Sequence, residues 1–438
     1  MISNADTIFP LKEFEMKLKY LLAFSAAIAL QTAAYCQSWN FTSLFSFPGG
    51  AGGGTPNYLM LAPDGSIVGT TTIANTKDCT TCGTVYRLTP PAGGTGAWTH
   101  TVLFGFPDQA TDGEQPNSVV LGPGGVIYGA TGSGGPSTCS GLGCGTIFEL
   151  TPGTTPWTET VLLDFNGDRG AGPNGPLRLG KNGALYGTAS QLVYDLVPPS
   201  GGTGPWAEHK IYAFTGDGTD ASGPQQGVVI GAGNVLYGAS GGGGTAGLGA
   251  VYQLTPPSAP GGAWSENVLY SFQGGTDGSV PAGPLALSST GVLYGTTLTG
   301  GSTTCFQQQP QTGCGTVYQL TPPASPGGAW TETVLYRFTD GTDGGYPFYG
   351  VVIGENGALY GATNYGGVGS CEENCGTVFQ LLPPTAPGGS WTESAIYSFP
   401  YGQPGGGAKA VVVGPAGVLY GISGGGAHSE GQVFELAP

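Results

Sequence analysis

The sequence predicts an all-β protein, a seven-bladed β-propeller of four-stranded blades in which the N-terminal strand closes the last blade. Three observations predict it. Seven Trp recur along the chain at Trp39, Trp98, Trp157, Trp206, Trp264, Trp330 and Trp391, with spacings of 59, 59, 49, 58, 66 and 61. That period suits four strands plus loops and is long for a solenoid coil. Between the Trp lie short alternating or apolar runs bounded by Gly and Pro, and no helical periodicity follows the first 36 residues. Finally, the chain enters the repeat on a Trp strand and leaves it on Gly431–Leu436, the strand that precedes a Trp elsewhere. The last unit therefore has three strands and the first a strand to spare, so joining them removes an open sheet edge.

The N-terminus reads as an export signal over residues 1–36. A basic start at Met16-Lys17-Leu18-Lys19 precedes the apolar stretch Tyr20–Leu30, and small residues lead to Ala34-Tyr35-Cys36. Such a stretch is too short to span a bilayer. The expectation is a soluble, secreted, extracellular or periplasmic monomer, a single repeat domain over 37–438, and no membrane span.

Composition narrows the architecture. Gly is 85 of 438 residues and Pro 35, a level that can signal disorder. The aromatic and β-branched residues argue otherwise, because they recur where a strand would bury one face. A net charge of −16 with 11 basic residues disfavours nucleic acid, whose phosphates need clustered cations.

One unit shows how the elements follow from the residues. Trp330–Phe338 alternates as a half-buried strand should, and Gly341–Gly344 turns the chain. Gly350–Ile353 is apolar throughout and fits a strand covered on both faces. Glu355-Asn356-Gly357 is a hairpin turn, since Asn-Gly tolerates positive φ. Leu359–Thr363 and Gly376–Leu381 supply two more strands. Pro383-Pro384 cannot donate to a ladder and must lie outside them.

Eight Cys remain after the signal, as the close pairs Cys79/Cys82, Cys139/Cys144, Cys305/Cys314 and Cys371/Cys375, each just before the Gly-Thr-Val-Tyr strand. Zinc would need two pairs in one place, and here each lies in a different unit. A disulfide closing each local loop is the expectation, contributing roughly 2–3 kcal/mol apiece. Cys79-Thr-Thr-Cys82 lacks the helix N-terminus that makes a redox motif reactive.

The motif Leu-Tyr-Gly-Thr-Thr…Gly-Thr-Val-Tyr-x-Leu-Thr-Pro…Trp-Thr-Glu-Thr-Val-Leu-Tyr-x-Phe, clearest at 293–338 and 359–399, resembles the GloVer (Gloeo/Verruco) tandem repeat. The resemblance runs over the whole chain after the signal. It implies a bacterial extracellular protein and carries no assigned activity. The family often ends in an anchor, and this chain stops at Glu435-Leu-Ala-Pro438 without one, which favours free secretion. More loosely the unit is similar to quinoprotein-type propeller repeats. That likeness implies that Gly350–Gly354 and its equivalents are innermost and the Trp strand outermost, and it transfers no quinone ligand.

With that strand order, two loop sets share one rim: Asp turns and Cys-bearing loops. Asp112, Asp168, Asp220, Asp277 and Asp343 align, while the units at Trp39 and Trp391 lack the Asp. Repeated carboxylates could bind calcium or sugar hydroxyls, and equally an Asp before Gly fixes its own turn. The Cys loops vary most in length, from the 300–314 loop with Phe306 to the near-absent loop between Tyr186 and Tyr194, as binding loops on a rigid scaffold do. Asp112, Asp220, Asp277, Asp343, Phe306 and Tyr365 are the candidate binding residues.

Catalytic signals are sparse. His100 and His209 are expected to be solvent-facing positions of Trp strands, and His428, in the last loop, lacks an evident partner. Gly238–Gly242 and Gly421–Gly425 match Gly-x-Ser-x-Gly, a motif that needs a helix the pattern does not supply. No catalytic residue, metal or cofactor other than calcium is assigned. The expected function is a non-catalytic secreted propeller that binds a glycan, envelope component or extracellular protein. The alternatives are an extracellular polysaccharide lyase or hydrolase and a structural matrix or adhesion protein.

Overall fold

Seven four-stranded antiparallel sheets succeed one another along the chain. In the fifth, strands Ser279–Leu287, Leu293–Thr299, Thr316–Thr321 and Thr331–Arg337 run from the innermost to the outermost, in sequence order. The seventh takes Ala408–Val413, Leu419–Ser423 and Gln432–Ala437 from the C-terminus and its outer strand, Asn40–Ser46, from the N-terminus. Inner and outer strands are therefore as expected, and so is the closure. The computed structural model describes residues 38–73, 82–107, 113–135, 143–167, 172–202, 204–224, 226–259, 261–302, 305, 313–325, 327–368, 375–386, 388–400 and 407–438. Residues 41–437 form one compact unit.

The hydrophobic core lies between blades. One cluster joins Ile147, Leu163 and Phe165 of the second blade to Leu177, Leu185, Tyr194 and Leu196 of the third. Each outer strand ends in a Phe whose ring meets, edge-on or tilted, the third-strand aromatic of the following blade. These pairs are Phe106–Phe148, Phe165–Tyr194, Phe214–Tyr252, Phe272–Tyr318, Phe338–Phe379, Phe399–Phe434 and, across the closure, Phe47–Tyr86 at 5.0 Å. Such pairs contribute about 0.5–1.5 kcal/mol each beyond the area they bury.

The Leu-Tyr-Gly motif follows from the same packing. Gly295 pairs with Tyr318 in register, and a Cβ on Gly295 would lie 2.4 Å from the Tyr318 hydroxyl. Only glycine leaves room for the ring. The Trp that opens an outer strand packs back on the Tyr of that motif in the preceding blade in Trp206–Tyr128, Trp330–Tyr237, Trp391–Tyr294 and Trp98–Tyr420. The first blade has Val68 in place of the Tyr, and there Arg87, paired with Val68 in register, lies 5.8 Å from the Trp157 ring centre.

Cys305 and Cys314 are disulfide-bonded, with Cα atoms 5.5 Å apart. Cys82, Cys144 and Cys375 are disulfide-bonded as well, and Cys79, Cys139 and Cys371 lie outside the described residues. The disulfide positions anchor contacts between blades. The residue before the inner-strand Pro sits at positive φ and sends its amide back to the preceding blade. Gln115 donates to the Cys82 carbonyl at 3.0 Å, Gly172 to Cys144 at 2.8 Å and Tyr346 to Cys314 at 2.8 Å. The third blade has only Ser190-Gln191 between its middle strands, and Gln191 Oε1 takes the Gly223 amide at 2.7 Å instead. The described ends of the Asp turns and of the Cys loops thus meet on one rim, as expected.

Candidate functional site

Residues on or just before the innermost strands of all seven blades line a cavity of about 320 Å³. Amides come from one arc of the ring, as Asn57, Asn117, Asn174 and Gln226 of blades one to four. Phe348 and Tyr349 come from blade six and Tyr58 from blade one, with glycine and proline backbone between. Phe348, 39% exposed, is one of the few large apolar side chains open to solvent. Among the described residues no carboxylate or imidazole lines the cavity.

Sequence and geometry agree on why these residues sit there. Pro recurs at the start of the inner strand, and the residue after it faces its counterpart in the next blade. Asn57 Nδ2 donates to the Pro116 carbonyl at 2.9 Å, Asn117 Nδ2 to Pro173 at 2.6 Å, and Lys409 Nζ to Pro56 at 3.2 Å. The Thr70 hydroxyl fixes Asn57 by donating to its Oδ1 at 2.6 Å. Other blade boundaries use close backbone approach. A Cβ on Gly175 would meet the Gly227 nitrogen at 2.3 Å, and one on Gly283 the Gly350 nitrogen at 2.1 Å. Asn117 Oδ1 is buried without a hydrogen-bond partner.

The predicted rim residues occupy other places. Asp343 is buried and holds its own turn, accepting from the Thr339 amide at 2.9 Å, the Thr339 hydroxyl at 2.7 Å, the Gly341 amide at 3.1 Å and the Tyr336 hydroxyl at 3.1 Å. Asp277 accepts from the Gln273 amide and, at 2.8 Å, the Tyr270 hydroxyl. Asp220 accepts from the amide and hydroxyl of Thr215. Tyr365 packs edge-on against Tyr346 at 5.1 Å. Asp112, Asp168 and Phe306 lie outside the described residues. Among the described residues no group of three or more His, Cys, Asp or Glu gathers where a metal could sit.

The Asp turns belong to a second polar system, between outer strands. Glu266, Glu332 and Glu393 are half-buried, and burial pushes their carboxyls up to about 7, helped by Asp220, Asp277 and Asp343 respectively. The aligned residue is Phe41 in the closing strand and His100 in the first blade, the two boundaries whose turns lack an Asp. There the contact is aromatic: Phe41 stacks on Tyr397 at 4.4 Å and His100 on Phe45 at 4.2 Å. His100 was expected to face solvent, and this is corrected. It faces the preceding blade, its Nε2 is buried, and burial lowers its pKa to about 4. His209 is solvent-facing as expected, its Nδ1 2.9 Å from Asp195. His428 is exposed, and Ser240 and Ser423 are buried at strand ends with no helix following.

The fold and its axial cavity define a seven-bladed propeller with a polar–aromatic pocket. Residues 33–203 match the Gloeobacter/Verrucomicrobia repeat family, as the motif resemblance implied. No curated protein matches the chain. Among solved structures it is similar to a streptogramin B lyase, at 14% identity and TM-score 0.53, over 91% of this chain and 97% of that one. It is similar also to virginiamycin B lyase from Staphylococcus aureus, at 13% identity and TM-score 0.53, over 92% and 99%. At such identities the likeness is one of fold.

Sequence reasoning looked to the rim loops and did not anticipate the axial pocket. Its signal was present in Pro56-Asn57, Pro116-Asn117 and Pro173-Asn174, an amide after the inner-strand Pro of three successive blades.

Proposed function

We propose that the protein is an exported, non-catalytic binding module that takes a saccharide into the axial pocket. The carrying observation is that amides from blades one to four share the pocket with the aromatic rings of Phe348, Tyr349 and Tyr58. A sugar ring has the matching halves, since its C–H face packs on aromatic rings while its hydroxyls exchange hydrogen bonds with amides. General acid–base chemistry at neutral pH favours a carboxylate or imidazole within hydrogen-bond reach, and among the described lining residues the titratable groups are the tyrosines Tyr58 and Tyr349. The disulfides support export to an oxidising compartment.

Binding of the full chain to a panel of oligosaccharides and polysaccharides tests this reading. Phe348→Ala is expected to weaken binding about tenfold by removing an aromatic platform. Release of a cleaved product would replace the reading with the lyase or hydrolase alternative. Absence of saccharide binding would leave a protein partner or a structural role.

A further inference from the structure

We propose that the saccharide taken into the axial pocket is acidic, with its carboxylate received by Lys409; this rests on the saccharide reading above. Lys409 occupies, in blade seven, the position that Asn57 and Asn117 hold in blades one and two. All three side chains make the same bond, to the carbonyl of the residue that precedes the aligned one in the following blade. A neutral amide therefore suffices for the structural task at two boundaries, and the positive charge at the third is surplus to it.

That charge is also uncompensated. An ammonium has three donors, and the 3.2 Å bond to the Pro56 carbonyl uses one. Burial lowers the Lys409 pKa, and among the described residues no carboxylate opposes the effect. The residue beside Lys409, Ala410, lines the pocket, as does Asn57, which follows the carbonyl Lys409 bonds. An incoming carboxylate would fill the free donors and neutralise a half-buried cation, a strong form of hydrogen bond. One cation beside a lining whose described residues include no carboxylate matches a monoanion. The net charge of −16 gives no long-range attraction for anions, so selectivity would come from this contact.

The test is calorimetric titration of the full chain with oligogalacturonate, oligoglucuronate and oligomannuronate, each against its methyl ester, which keeps the sugar and removes the charge. At least one acid is expected to bind about 10- to 100-fold more tightly than its ester. Lys409→Gln, which can still reach the Pro56 carbonyl and should leave the melting temperature unchanged, is expected to abolish the preference. Lys409→Arg should keep it. Esters bound as tightly as acids, or a preference that survives Lys409→Gln, would overturn the proposal and leave the saccharide reading standing. If neither acids, esters nor neutral oligosaccharides bind, the saccharide reading itself fails.

Discussion

The hydroxyl of Tyr336 donates to the carboxylate of Asp343 across 3.1 Å, and Glu393 of the next blade meets the same hydroxyl. Tyr270 and Asp277 repeat the arrangement with Glu332, and Tyr212 and Asp220 form its counterpart beside Glu266. A half-buried Glu beside a carboxylate is held more easily as the neutral acid.

Stability should therefore depend on pH in a defined direction. The three Glu titrate near 7 in the folded chain and near 4.5 when unfolded. A folded pKa raised above the unfolded one gives stability fully present below the unfolded value and lost as pH rises through the folded one. Thermal unfolding is expected at a lower temperature at about pH 8.5 than at about pH 5.5, with most of the fall between about 5 and 8. The Glu266→Gln, Glu332→Gln, Glu393→Gln triple variant should flatten that profile. An unchanged slope in the triple variant would assign the pH dependence to overall charge.

The Asp turns should be indifferent to calcium. Both Asp343 oxygens accept two hydrogen bonds from the turn and from Tyr336. A cation would have to break these to gain oxygen ligands. Added calcium is expected to leave the melting temperature where a chelator leaves it, while Asp343→Ala costs about 1–3 kcal/mol through the stranded Thr339 and Gly341 amides. Calcium-dependent stabilisation abolished by Asp343→Ala would reverse this reading.

The same residues show what the sequence made legible. The Trp period, the Gly-Thr-Val-Tyr strand and the phase offset encode local periodicity, and periodicity is what alternation and turn chemistry report. Inner and outer strand order came with the family-level likeness. The axial pocket escaped because its lining comes one or two residues from each blade and forms only on closure. His100 was misplaced for a related reason. It sits in an alternating strand whose two faces look alike in sequence, and only the neighbouring blade shows which is covered. The Glu and Asp positions vary together, with Phe41 and His100 where the Asp is missing, and that correlation was readable along the repeats without any structure.

Tyr318→Phe is expected to leave stability equal or raise it by up to about 1 kcal/mol. The Tyr318 hydroxyl is fully buried, has no hydrogen-bond partner and presses toward Gly295. A buried polar group without a partner costs free energy that its removal returns. Phe148, Phe379 and Phe434 already fill the position in other blades. Chemical denaturation decides it, and a loss above about 1 kcal/mol would mean the hydroxyl is satisfied.

Gln191 should matter out of proportion to its exposure. It replaces the backbone acceptor that a Cys loop provides elsewhere, and its carboxamide takes the Gly223 amide. Gln191→Ala is expected to cost about 0.5–1.5 kcal/mol, since water can partly replace the bond at an exposed site. Gln191→Glu, which keeps the acceptor, should cost less. Equal losses for the two would show that the contact is packing and not a hydrogen bond.

Closure makes the strongest demand on the N-terminal strand. Phe47 is fully buried against Tyr86 of the first blade, and its amide donates to the Gly431 carbonyl at 2.9 Å. Phe272 stands in the same relation to Tyr318 at an ordinary boundary, at 5.0 Å. If the ring unfolds as one cooperative unit, Phe47→Ala and Phe272→Ala should each cost about 3–5 kcal/mol with unchanged denaturant slope. A much smaller cost for Phe47→Ala, with a lower slope, would mean that the closing strand peels away before the ring opens. The propeller would then be held by its C-terminal three-stranded sheet, and the N-terminal strand would be a detachable clasp.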